Sequence, residues 1–100
     1  MRWSLLLVHS PLLGPSSWRP FATLAEQLGF ELALPDLTDV ATATQPRWKH
    51  FVEAAAGAGQ ALTHPTLVVG HSGAGVFLPE IAHHLDDAKT AIVFIDAVVP

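Results

Sequence analysis

The chain has 100 residues, half of them hydrophobic, with 5 Lys and Arg against 9 Asp and Glu, and no cysteine. That is enough apolar sequence for one buried core, and it argues against disorder. The basic residues Arg2, Arg19, Arg47, Lys49 and Lys89 are scattered, so no basic patch tracks a phosphate backbone and a nucleic-acid partner is excluded; the lack of cysteine excludes disulfides, thiolate metal sites and thiol nucleophiles.

Ser4 to Val8 is a short apolar run. Preceded by Met1-Arg2-Trp3 it faintly resembles a signal peptide, but the run is too short and is broken by His9, Pro11, Gly14 and Pro15. It reads as a strand buried on both faces. No run is long enough to span a membrane, so no membrane partner is expected and a cytoplasmic location is the default. His9 to Trp18 is a loop rich in Pro, Gly and Ser. A helix follows from about Ser17 to Leu28, with Phe21, Leu24, Ala25 and Leu28 at helical spacing and Gly29 as its stop.

Phe30 to Leu34 reads as a second strand, ended by Pro35. Asp36 to Gln45 is polar and rich in threonine, hence a loop, with Asp36 and Asp39 as turn residues. Pro46 opens a second helix running to about Leu62, its later half weakened by Gly57 and Gly59. Thr66 to Val69 is a third strand and Gly70 to Gly75 a tight turn. A third helix follows to about Leu85, with Pro79 near its first turns and Val76, Ile81 and Leu85 facing inward. Thr90 to Ile95 is a fourth strand, with Asp96 and Pro100 bracketing its exit.

This βαβαβαβ order predicts an α/β fold: a three-layer sandwich around a parallel sheet, with residues 1–100 in a single domain. Function in such sheets sits at the carboxyl ends of the strands. That directs attention to His9–Leu13, Pro35–Asp39, Gly70–Gly75 and Asp96–Pro100. No spacing of histidines and carboxylates suggests a metal site, and no cofactor is expected.

Val69-Gly70-His71-Ser72-Gly73-Ala74-Gly75 follows a predicted strand and opens a predicted helix. This is the context that a nucleophile elbow, Gly-x-Ser-x-Gly, requires. A serine at so sharp a turn is held in a strained backbone conformation. The residues two before and two after must be small, and here they are Gly70 and Ala74, the latter in place of the usual second glycine. The Ser72 hydroxyl would then stand at a helix N-terminus, with the Gly73 N–H aimed at an oxyanion. The competing reading is a plain or phosphate-cradling turn. The spacing fits neither the dinucleotide fingerprint nor the P-loop.

On these residues the chain resembles the α/β-hydrolase superfamily, in its esterase and hydroxynitrile-lyase-like branch, over essentially its whole length. Leu5-Leu6-Leu7-Val8-His9 is similar to that family's third strand and following histidine. His9, Gly14 and Trp18 match its His-x4-Gly-x3-Trp pattern. Leu34-Pro35-Asp36-Leu37, the elbow, and Phe94-Ile95-Asp96-Ala97 look like the ends of its fourth, fifth and sixth strands. The resemblance implies that the chain's four strands lie in the order second, first, third, fourth. It also implies a fold that continues well beyond Pro100, with a cap, an acid and a catalytic histidine still to come. The 100 residues are therefore expected to be part of a larger unit and not hydrolytically competent alone.

By the same resemblance Ser72 is the catalytic nucleophile, with Gly70, His71 and Ala74 building the elbow. His9 holds the oxyanion loop together. His83 and His84 point away from Ser72, and His50 and His64 are ordinary helix and loop residues. Asp96 is a possible triad acid, since a minority of relatives place it at this strand end. The first oxyanion donor would be the backbone N–H of Pro11, which has none. Three readings stay open: Leu12 donates after a loop shift; the Ser10 hydroxyl compensates, as its counterpart does in hydroxynitrile-lyase-like relatives; or the protein is a weak or inactive relative. Ser10 can equally be a plain loop residue. The functional hypotheses are a serine hydrolase acting on a small-molecule ester or similar acyl substrate, a non-catalytic small-molecule binder of the same fold, and a nucleotide-binding α/β domain. The oligomeric state is open.

Overall fold

Ser4–Val8 forms β1, and all of it is buried, as expected for a central strand of a parallel sheet covered on both faces. The protein is described by a computed structural model over residues 3–41, 47–86, 89–97 and 99. After β1 a 3₁₀ turn at Pro15–Ser17 leads into α1, Arg19–Gln27. Then come β2 (Glu31–Ala33), a short helix α2 (Thr38–Ala41) and α3 (Arg47–Gln60). β3 (Thr66–Ser72) passes through a 3₁₀ turn at Gly73–Phe77 into α4 (Leu78–His83), and β4 (Thr90–Ala97) follows. The expected helix opener Pro46 lies outside the described residues.

The four strands form one sheet in the order β2-β1-β3-β4, and every pair is parallel. The predicted order is thus observed. α3 and α4 cover one face. There Leu6, Val8 and Val68 of the sheet pack with Phe51, Val52, Ala55 and Ala56 of α3 and Leu78, Ile81 and Ala82 of α4. The spacing within α3 is that of one helical stripe. Gly59, expected to weaken α3, has a packing reason: a Cβ there would lie 2.9 Å from Leu6 Cδ2. Glycine lets the end of α3 reach the sheet.

The other face is covered by α1, and its packing differs from the sequence expectation. Trp18, Ala22 and Ala25 are the buried residues against Leu5, Leu7 and Val69. Of the four residues read at helical spacing, Ala25 is buried, whereas Phe21, Leu24 and Leu28 are exposed. The small alanines let the helix sit close on the sheet, which turns the bulkier stripe outward. Val76 is likewise exposed rather than inward-facing, while Ile81 is buried. The cause is that the chain leaves the elbow as a 3₁₀ turn, whose three-residue period shifts the register of the helical face. Gly29 does close α1, at φ 88°.

The segment read as a loop after Pro35 contains the turn α2. The Asp36 carboxylate accepts the Thr38 N–H at 3.0 Å, which caps that turn. Asp36 is held below the usual carboxylate range by the Thr38 hydroxyl first and its N–H second.

Candidate active site

β3 ends on Ser72, and the next residue already begins the 3₁₀ turn. Ser72 has φ 56° and ψ −129°. A non-glycine residue rarely adopts positive φ, and such strain persists where its surroundings enforce it. The enforcement is visible on either side. A Cβ on Gly70 would lie 2.6 Å from both methyl groups of Leu78, and Leu78 is fully buried. Ala74 is also fully buried, so the position usually held by glycine has room for one methyl group and no more. Gly70 is thus required by protein packing.

The loop after β1 borders the elbow. A Cβ on Gly73 would lie 3.5 Å from Ser10 Oγ and 3.7 Å from Pro11 Cδ. The loop is a β-turn with Pro11 at its second position, where its fixed φ is favourable, and the Leu13 N–H donates to the Ser10 carbonyl at 3.0 Å. The Leu12 N–H donates to Ser10 Oγ at 3.2 Å. Both of these N–H groups are thereby taken up inside the loop. A donor role for Leu12 after a loop shift would require its N–H to leave Ser10 Oγ; Leu12 is 92% exposed. Ser10 itself is buried, and its hydroxyl, having accepted from Leu12, still has its own proton to give.

His9 and Trp18 anchor this loop. The Leu37 N–H donates to His9 Nε2 at 2.8 Å, which leaves Nδ1 to donate to the Ser10 carbonyl at 2.8 Å. His9 therefore ties the exits of β1 and β2 together, and it is fully buried. The Trp18 indole Nε1–H donates to the Val8 carbonyl at 3.1 Å. The same ring meets His71 edge-on at 6.1 Å between centroids. The role of Trp18 was not anticipated beyond its place in a pattern. Its signal was an amphipathic ring ten residues after a strand end, with a polar tip that needs a partner when buried.

Asp96 stands on the other side of the elbow. β3 and β4 pair in step from Thr66↔Thr90 to His71↔Ile95, and then Ser72 pairs with Ala97. Asp96 is the extra residue of a β-bulge opposite the elbow, and its φ is 44°. Among the described residues no side chain hydrogen-bonds the Ser72 hydroxyl, and no histidine reaches Asp96. His83 and His84 lie at the far end of α4, where His84 Nδ1 bonds the Glu80 carbonyl at 2.9 Å.

A second polar cluster lies at the opposite end of the sheet. Glu31 accepts from the Ser4 hydroxyl, and from the Thr63 N–H at 2.7 Å. His64 Nδ1 lies 3.3 Å from the same carboxylate, so His64 is more than the ordinary loop residue expected. Ser4 and then Thr63 are the main causes that lower the Glu31 pKa to about 2. The cluster ties β1, β2 and the entry to β3 together.

The order of the parallel strands and the helices that cover them match a known architecture. The structure superposes on the crystal structure of a histidine-to-alanine mutant of polyneuridine aldehyde esterase with a TM-score of 0.77, over 99% of this chain, at 23% sequence identity. The chain has the α/β-hydrolase fold. It spans 41% of the length of that esterase chain. No protein-family model matches the sequence, and no curated protein does. Among the described residues no helix is long and apolar enough to cross a membrane.

Proposed function

We propose that this chain is the nucleophile-bearing part of a serine hydrolase acting on a small-molecule ester or related acyl substrate. The observation that carries the reading is the strained backbone of Ser72, φ 56° and ψ −129°, at the junction of β3 and the following turn. Ser72 attacks the carbonyl carbon. The Gly73 N–H, at the start of the turn, stabilises the oxyanion. The Ser10 hydroxyl supplies the second donor in place of the Pro11 amide. The general base comes from outside the described residues. The resemblance to an esterase in fold supports the chemical class.

A fluorophosphonate probe tests this directly on the complete gene product. Labelling at Ser72, abolished by Ser72→Ala, is the expected result. An unlabelled protein beside a labelled control esterase would count against it.

A second reading is a non-catalytic binder of the same fold. It is favoured by the oxyanion loop, whose Leu12 and Leu13 N–H groups are spent internally. Ester turnover that disappears in Ser72→Ala would eliminate it.

A further inference from the structure

The two non-glycine residues with positive φ among the described residues are Ser72 and Asp96. They lie side by side. The slip in the β3–β4 ladder falls between His71 and Ser72, so Asp96 is bulged out of β4 beside the nucleophile. A bulge re-aims a side chain, and bulges recur next to active sites. Holding an aspartate at φ 44° costs free energy. Among the described residues no hydrogen bond or ion pair of the carboxylate offsets that cost. Asp96 is exposed. In step with the rest of the ladder Ser72 would pair with Asp96; the bulge pairs it with Ala97 instead and leaves Asp96 as the extra residue.

We propose that Asp96 selects substrate: it recognises a cationic nitrogen on the acyl substrate or its leaving group. This rests on reading Ser72 as the nucleophile. Neighbouring strands are about 4.8 Å apart, so the Asp96 backbone sits one strand spacing from Ser72. Its carboxylate then reaches an ammonium group a few bonds from the scissile carbonyl. The substrate class is an ester bearing a quaternary or protonated amine at that distance. Attraction to an exposed carboxylate is modest in water, corresponding to roughly fivefold in affinity, and it weakens with salt.

The test compares butyrylcholine with its uncharged carbon isostere, 3,3-dimethylbutyl butyrate. Dissociation constants are measured by calorimetry on the complete gene product carrying Ser72→Ala, so that no hydrolysis intervenes. The expected preference for the choline ester is roughly fivefold or more. It should collapse toward unity in Asp96→Asn and narrow at high ionic strength. Asparagine accepts positive φ readily, so the bulge is kept, and Asp96→Gly provides a second variant without strain. A preference unchanged in both variants overturns the proposal. So does an equal loss for both ligands, which is the signature of a triad acid or a structural role, and so does failure of both ligands to bind. If the preference depends on Asp96 but the Ser72 protein hydrolyses neither ester, the cation site stands and the nucleophile reading falls. If hydrolysis depends on Ser72 but the ratio of kcat/KM for the two esters ignores Asp96, only the present proposal falls.

Discussion

The side chain of Leu78 occupies the space where Gly70 would carry a Cβ: the separation would be 2.6 Å. Strand β3 and helix α4 approach this closely because the chain must reverse between them within the few residues of the elbow. Leu78 is fully buried, so it has nowhere to retreat.

Gly70→Ala should therefore destabilise the fold by about 1–3 kcal/mol through overpacking. Leu78→Ala alone should cost about 2–5 kcal/mol by leaving a cavity. The double variant should be more stable than the sum of the two predicts, since each change relieves the other. Urea denaturation of the four proteins measures the coupling. Strict additivity would show that the two side chains do not compete for the same space.

Ser72→Gly should be more stable than Ser72→Ala. Glycine adopts positive φ without a penalty, whereas alanine keeps strain of about 1–3 kcal/mol. This exceeds the backbone-entropy disadvantage of glycine, about 0.5–1 kcal/mol. Both variants lack the Ser72 hydroxyl, so the stability difference reads the backbone alone. Equal melting temperatures would mean that the elbow is unstrained.

Ser10→Ala should slow fluorophosphonate labelling of the complete gene product by about 10²-fold, the loss associated with one oxyanion donor. It removes the hydroxyl and frees the Leu12 N–H at once. Ser10→Thr, which keeps a hydroxyl, should retain most of the rate. If Ser10→Ala labels at the parental rate, Ser10 is a plain loop residue.

Glu31 gives the fold an acid limit. Its folded pKa is about 2 against an ordinary 4.5. A lowered carboxylate pKa means that the unfolded chain binds the proton more tightly. The contribution of Glu31 is then complete above pH 4.5 and is lost as the pH falls toward 2. Melting temperature should fall across that window in the parent protein and less steeply in Glu31→Gln. Parallel curves for the two proteins would remove Glu31 from the acid transition.

Most of the fold was legible in the sequence. Strands such as Leu5–Val8 and Thr66–Val69 are apolar runs of strand length, and the Gly and Pro residues between them mark the turns. The elbow was legible because a sharp strand-to-helix turn permits only small residues at Gly70 and Ala74. The face of α1 was not. Phe21, Leu24, Ala25 and Leu28 fall at one helical spacing, yet of these only Ala25 is buried, together with Ala22, and periodicity alone does not make that choice. The choice depends on how close the helix can lie to a sheet that the sequence does not display. The network of Glu31 with Ser4, Thr63 and His64 joins residues far apart in the chain, so no local pattern announces it.

Ser72 as the residue at the turn, and the α/β order around it, were set by local chemistry: chain reversal, strand burial and glycine spacing act over a few residues. The surroundings of that serine were decided only by tertiary structure. Folding the β1 loop onto the elbow directs the Leu12 amide at Ser10 Oγ. The pairing of β4 with β3 slips by one residue, so that Ala97 pairs with Ser72 and Asp96 is bulged next to that pair. Both depend on how separate segments meet, and the energies that fix those meetings are contacts between residues distant in sequence.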